Sequence, residues 1–404
     1  MAAGLALVGP VSLDALRDLI PPQAWREDIP RDIGATVLPS LARAFLERGL
    51  RVTIVSYAIG LEREAIIDAG PLRLCIGPGR HRGRARDFFA AERHYLAETL
   101  RREQPSLLHA HWTYEFAMAA QSVSQASRLP CLITAHDAPL SILRHNPTPY
   151  RFMRTLMAYR VLHAARMLVA VSPHVERHLR HWFGFHGDCT VIPNGIDERI
   201  FRIGQARRQN PQKPGCVFAC VMNGWGRLKN PTTLLLAFAR LRSALPQSRL
   251  LMIGDGYGPD GPAAAWAASH QATDGVDFIG PWPHAALLDR LHGTADIFVH
   301  PSREEAQGLS VLEAMALGIP VIGGAQSGAL PWVLNQGQAG LLADISTPAA
   351  LADAMLSLAQ NPQKQQSLAA KGFEYARRQF GMQAVADRHA EIYTRLCGAA
   401  WQQS

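Results

Sequence analysis

The chain has 404 residues, a hydrophobic content of 48% and a formal net charge of +8. Such a length exceeds one ordinary core and suggests two domains. No apolar run is long enough to span a membrane and no charged region precedes the first apolar residues, so an unexported, cytoplasmic protein is expected. A basic balance admits nucleic acid, an anionic membrane or phosphorylated ligands as partners. The first is set aside, because no zinc-finger, RRM or other nucleic-acid signature is present. The six cysteines fit a reducing compartment, and Cys216 and Cys220 lack the spacing of a zinc site.

In chain order, short apolar runs bounded by glycine, proline and polar residues predict strands at 5–8, 51–56, 72–76, 106–109, 132–135 and 167–171. A polar loop after the first strand reaches Gly34, by itself a turn residue. Val37, Leu41, Ala44, Phe45 and Leu50 then outline an amphipathic helix closed by Gly49, and 88–102 reads as a second helix. His109 and His111 end one strand and His136 another, where open α/β sheets bind ligands. His109 and His111 are nevertheless expected to satisfy buried backbone groups. Arg80, Arg82, Arg84 and Arg86 alternate along one loop, and the helix 150–166 carries Arg151, Arg154, Arg160 and Arg166. Both are ordinary solvated or sheet-packed elements, or else a basic surface for an anionic membrane. Residues 204–215, polar and proline-containing, read as the linker.

The second half repeats the alternation. Strands are predicted at 216–222, 250–253, 276–279 and 297–299, and helices at 285–292, 351–358 and 364–396. A glycine-bearing loop at 223–230 gives way to a helix opened by Pro231. From His300 the chain reads as strand end, loop, helix, turn and strand, with Leu309, Leu312, Met315 and Ala316 at helical spacing and Gly318 closing the helix. Glu305 should precede the helix N-terminus, where free N–H groups of Ala306, Gln307 and Gly308 form an anion-accepting site. Glu313 lies two turns on, so the pair suits a long ligand along the helix. The alternative is one capping carboxylate and one surface carboxylate. Two β/α alternations predict two doubly wound domains facing each other.

The stretch HPSREEAQGLSVLEAMALGIPVIGG resembles the E-x7-E signature of retaining glycosyltransferases of family 4, which have the α/β GT-B fold of two Rossmann-like domains and an interdomain cleft. Glu305 and Glu313 have the required separation, and Glu313-Ala314-Met315-Ala316, Gly318 and Pro320-Val321 match the context. The resemblance implies that Glu305 and the segment Ala306, Gln307, Gly308 and Leu309 hold the donor sugar, and that Glu313 holds the ribose. GATVLPSLARAFLERGLRVTIVS resembles the family's first βαβ unit, with Gly34 where paired glycines are usual. ITAHD resembles the segment whose histidine, here His136, faces the donor's sugar and phosphate. Pro193-Asn194-Gly195-Ile196-Asp197 resembles the interdomain segment. Gly226-Arg227-Leu228-Lys229-Asn230-Pro231 resembles the diphosphate-binding loop, and Gly280-Pro281-Trp282 the base-binding edge. The chain departs from the family at Ala306-Gln307 (usually Gly-Phe), at Gly224 (commonly arginine) and at Trp332 (often glutamate).

Transfer from a nucleotide sugar expels a diphosphate whose charge must be neutralised, by a metal or by fixed cations and helix ends. The chain has no Asp-x-Asp, and Asp255 in Gly-Asp-Gly reads as a turn residue. Lys229 is one of four lysines in a chain that otherwise uses arginine, which suits a compact point charge. The expectation is a retaining hexosyltransferase without metal or other cofactor, with Glu305, His136 and Lys229 as catalytic residues. Its donor would be a UDP- or GDP-sugar and its acceptor a saccharide or lipid-linked saccharide, at the inner face of the plasma membrane. Residues 1–200 would bind the acceptor, with the option that 381–404 packs back on them, and 201–380 would bind the nucleotide sugar. A non-catalytic nucleotide-sugar-binding subunit and a nucleotide-sugar isomerase share the framework.

Overall fold

The computed structural model describes residues 4–30, 36–206 and 215–398. Gly34 lies outside the described residues, as do 207–214 of the expected linker. The chain divides into two compact units, Met1–Gly195 with Met382–Ser404, and Ile196–Gly381.

The first unit runs β1 (Gly4–Val8), α1 (Val37–Leu46), β2 (Arg51–Ile59), β3 (Ala65–Ala69), β4 (Leu72–Gly79), α2 (Ala90–Glu103), β5 (Leu107–His111), α3 (Glu115–Ser127), β6 (Cys131–Ala135), α4 (Pro139–His145), α5 (Pro149–Ala164), β7 (Met167–Ala170), α6 (Pro173–Phe183) and β8 (Asp188–Val191). Its sheet has the order β3-β4-β2-β1-β5-β6-β7-β8. All pairings are parallel except the edge hairpin of β3 with β4. The central strands are buried on both faces, so they read as unbroken apolar runs such as LALV. β3 and β8 escape such a reading because their edge positions leave polar residues in them. Helix α2 begins two residues later than predicted, since Phe88 and Phe89 adopt left-handed backbone (φ 53° and 58°) and cannot start it.

The second unit runs α7 (Glu198–Ala206), β9 (Val217–Val221), α8 (Pro231–Arg242), β10 (Arg249–Ile253), α9 (Pro262–Ser269), β11 (Val276–Gly280), α10 (His284–Thr294), β12 (Ile297–His300), α11 (Leu309–Ala316), β13 (Val321–Gly324), α12 (Leu330–Val333), β14 (Leu341–Ala343), α13 (Pro348–Ala359) and α14 (Pro362–Phe380); α15 (Met382–Cys397) belongs to the first. Its sheet is wholly parallel, in the order β11-β10-β9-β12-β13-β14.

Two sequence expectations need correction. The division between the units falls at Gly195–Ile196 rather than at the expected 204–215, and 204–206 are part of α7. A Cβ on Gly204 would come within 2.1 Å of the Ala316 carbonyl oxygen, so this glycine permits a close approach to the end of α11 rather than breaking a helix. The single helix at 364–396 is two helices, parted at Gly381 where the chain leaves the second unit. There Ile196 N–H donates to the Phe380 carbonyl at 2.7 Å, so the first and last residues of the second unit run side by side.

Candidate functional site

In the second unit the strand order reverses between β9 and β12, which opens a crevice at their carboxyl ends. The loop after β9 carries Lys229 and the loop after β12 carries Glu305. Asn230 locks the two loops together. Its side chain is buried and donates to the carbonyls of Pro301 (3.2 Å) and Ile345 (3.0 Å), while its oxygen accepts from Arg303 (3.0 Å) and Thr233 (2.8 Å). Arg303 N–H also donates to the Leu228 carbonyl at 2.8 Å.

This lock brings Lys229 Nζ to 2.7 Å from Glu305 Oε1, and His300 Nε2 lies 3.0 Å from the same oxygen. Burial alone would raise the Glu305 carboxyl, but the Lys229 charge and the His300 hydrogen bond outweigh it and hold the group far below the usual carboxylate range. Glu305 is also fixed through its backbone, whose carbonyl accepts from Ala329 N–H at 2.8 Å. Gly328 makes that approach possible. It has φ +58°, and a Cβ on it would sit 2.3 Å from the Glu305 carbonyl oxygen.

Helix α11 starts immediately beyond, behind Gly308 with φ +86° and no side-chain cap. Ala306 and Gln307, expected to offer free N–H groups, both already interact within the fold, and Gln307 is buried. Gly308 and Leu309 lie at the helix start as expected. Glu313, in the second turn, accepts from His284 Nε2 at 2.7 Å, and that hydrogen bond raises the His284 pKa against the opposing effect of burial. Gly280 ends β11 with φ +80°. Trp282 packs on the core beside α10 with the Arg290 guanidinium 4.4 Å above its ring. Trp332 is packed edge-on against Phe380 at 5.2 Å. Arg227 is exposed on the Lys229 loop. Asp255 is a turn residue, its N–H held by Asn223 Oδ1 at 3.0 Å.

His136 lies in the first unit, in a cluster of four buried imidazoles. Its Nε2 is 2.9 Å from His111 Nδ1, and its ring stacks on Trp112 at 4.2 Å. Burial and the proximity of His389 depress its pKa to about 3, against a raising hydrogen bond to Asn194. The expectation for His109 and His111 is corrected, because they bond side chains and not backbone. His109 holds Tyr393 Oη at 2.6 Å and Thr134 Oγ1 at 2.7 Å. Tyr393 and His389 come from α15, so the cluster fastens that helix to the ends of β5 and β6. Beside it, Arg154 lies 3.7 Å over the Tyr114 ring, and the Tyr114 hydroxyl donates to Asp137 at 2.8 Å.

The residues missed in the sequence are therefore His300, His284 and Asn230. His300 had a signal, since it ends a strand five positions before Glu305. His284 had none, because Glu313 is remote from it in the chain; Asn230 stood in the loop already singled out, but Pro301, Arg303 and Ile345, which it locks, are remote from it.

Two α/β units with Rossmann-like parallel sheets are the architecture of the GT-B class of glycosyltransferases. The chain matches the family described as Glycosyltransferase Family 4 over residues 34–199 and that described as Glycosyl transferases group 1 over 204–375. It is 31% identical over 309 residues to the D-inositol 3-phosphate glycosyltransferase of Thermomonospora curvata, covering 71% of each chain. In structure it is similar to the sucrose-phosphate synthase of Thermosynechococcus elongatus, with TM-score 0.78 and 22% identity over 98% of this chain and 100% of that one. It is also similar to the Anabaena protein HepE in complex with UDP and glucose, with TM-score 0.69 and 17% identity over 98% and 100%. The chain belongs to the family 4 glycosyltransferases and is a transferase enzyme.

Proposed function

We propose that the protein is a retaining, metal-independent hexosyltransferase that takes its sugar from a UDP- or GDP-sugar and passes it to a saccharide or lipid-linked saccharide in cell-surface glycan synthesis. The observation that carries this reading is the Lys229–Glu305 pair at the β9–β12 switch point. One donor of the Lys229 ammonium is used by Glu305, and the others are available to a diphosphate. Both hydrogen bonds to Glu305 fall on Oε1, which leaves Oε2 to accept from a sugar hydroxyl. Glu313, with His284 beside it, is assigned to the ribose further along α11. Gly280 and Trp282 are assigned to the base edge, Arg227 to the diphosphate and His136 to the donor's sugar side. The UDP and glucose in the HepE complex support a uridine donor. The second unit is assigned to the nucleotide sugar and the first to the acceptor.

In this reading Glu305 orients the sugar, and Lys229 neutralises the charge that grows on the leaving diphosphate. Positioning and leaving-group stabilisation provide most of the rate. The departing phosphate takes the proton of the acceptor hydroxyl on the same face. Peripheral attachment to the inner membrane surface is part of the reading; among the described residues no helix is long and apolar enough to cross a membrane. The test is incubation with radiolabelled UDP- and GDP-sugars, with and without a membrane extract. Acceptor-dependent label transfer with retained anomeric configuration is expected. Interconversion without acceptor, or binding without transfer, overturns the proposal.

A further inference from the structure

Helix α5 has two apolar faces. Met153, Met157, Val161 and Leu162 are buried in the first unit. Phe152, Leu156 and Tyr159, spaced four and three residues apart, share the opposite face and are 57%, 41% and 51% exposed. Exposed His163 extends the stripe by a further turn, its ring 3.9 Å from that of Tyr159. A soluble surface helix ordinarily turns polar residues outward, so this stripe is fitted to an apolar environment.

The surroundings say which one. Between Asp137 and Glu176 the chain has no acidic residue, and it has arginines at 144, 151, 154, 160 and 166. The loop after β4 joins the same surface. Arg160 lies 5.2 Å over the Phe88 ring, and the Phe89 and Tyr150 rings are 6.5 Å apart. The alternating arginines of that loop do not all face outward. Arg80 is paired with Asp87 and with the buried Glu92, and Arg154 is drawn over Tyr114. Arg82, Arg86 and Arg160 are exposed, as are Arg144 and Arg166.

We infer that the outer face of α5, flanked by the loop after β4, is the surface by which the protein lies on an anionic bilayer, with Phe152, Leu156 and Tyr159 among the acyl chains and the arginines on lipid phosphates. A shallow apolar stripe between guanidinium groups is the pattern of a helix lying in the interfacial plane. A protein partner would need acidic groups to match these arginines and an apolar groove for the stripe; an anionic lipid surface supplies both charge and apolar depth. The inference deepens the peripheral-membrane part of the proposed function. It also places the face beside the carboxyl ends of β4 and β6, since the loop follows one and α4 joins the other to α5.

The test is co-sedimentation of the full chain with phosphatidylglycerol–phosphatidylcholine vesicles and with pure phosphatidylcholine vesicles, at low and high salt. Wild type should bind the anionic vesicles and be largely released by salt. The triple variant Phe152→Ser, Leu156→Ser, Tyr159→Ser should weaken that binding by on the order of tenfold or more while keeping its circular dichroism and melting temperature. The variant Arg82→Glu, Arg86→Glu, Arg160→Glu should weaken it by on the order of a hundredfold. If wild type binds and the triple serine variant binds equally, the attachment face is elsewhere and only this inference fails. If wild type binds no anionic vesicle at low salt, the peripheral-membrane reading fails with it. If wild type is a dimer that the serine variant converts to monomers, the stripe is an interface between copies and the inference is overturned.

Discussion

The Lys229 ammonium lies 2.7 Å from the Glu305 carboxylate although the two residues are 76 positions apart. The half-buried lysine holds the charge of a nearly buried carboxylate. Neither can therefore be altered as though it touched only one part of a ligand. Glu305 has His300 as a second partner, so it keeps one hydrogen bond when the lysine is removed.

Lys229→Ala should weaken binding of the nucleoside diphosphate by about 1.5–3 kcal/mol, the worth of a charge-assisted hydrogen bond, and leave binding of the plain nucleoside almost unchanged. It should also cost about 3 kcal/mol of stability, because it strips the cation from a nearly buried carboxylate. The double variant Lys229→Ala, Glu305→Gln should recover part of that stability. Calorimetry with the two ligands and a denaturant titration measure both effects; equal loss of nucleoside and diphosphate would show that the lysine acts through folding alone.

Glu305 and Glu313 should separate by ligand. Glu313→Ala should weaken intact donor and free nucleoside diphosphate alike, since the ribose is common to both. Glu305→Ala should leave nucleoside diphosphate binding near normal, with Lys229 released toward the phosphates. It should also reduce turnover by orders of magnitude through lost sugar orientation. Should Glu305→Ala lose the nucleoside diphosphate as badly as Glu313→Ala, the assignment of the two carboxylates is wrong.

Transfer should survive excess chelator. The chain has no Asp-x-Asp, and Lys229 offers a fixed cation at the switch point. Activity lost in EDTA and restored by manganese would overturn this expectation.

Acid should destabilise the fold through the buried imidazoles. Burial depresses His136 to about 3 and His389 to about 4, and puts His109 and His111 well below the ordinary histidine value. The unfolded chain takes up these protons below about pH 6.5 and the folded one does not. Stability is therefore complete above about pH 6.5 and falls as the pH drops toward 4 and 3. Denaturant midpoints at stepped pH should show this slope, and His389→Gln should make it shallower. A midpoint constant from pH 7 to pH 4.5 would rule out neutral imidazoles.

His284 should titrate above the ordinary histidine value in wild type, because Glu313 accepts its hydrogen bond. Glu313→Gln should lower that value, read as the pH dependence of the imidazole resonance in NMR. An unchanged titration would mean that the pair does not form in solution.

Much of the fold was legible because its strands are buried on both faces and so read as unbroken apolar runs, and because proline and glycine mark helix ends at Pro231 and Gly318. Edge strands β3 and β8 were not, since they carry polar residues. Gly204 misled, because a glycine that admits a neighbouring backbone looks in sequence like one that breaks a helix.

The sequence by itself determined the two α/β alternations and carried the resemblance to the family, and it singled out Glu305, Glu313 and Lys229 as candidates within short stretches of chain. Only the tertiary structure decided their partners. Lys229 meets Glu305 because Asn230 and Arg303 lock two loops from strands that are neighbours in the sheet but remote in the chain. Glu313 meets His284 by the same kind of long-range packing. Likewise, the arginines are spaced alike in sequence, but carboxylates claim Arg80 and the Tyr114 ring claims Arg154, while others stay exposed. Local spacing sets which groups share a loop or a helix face, whereas charge pairing follows distance in space, which strand order and loop packing set.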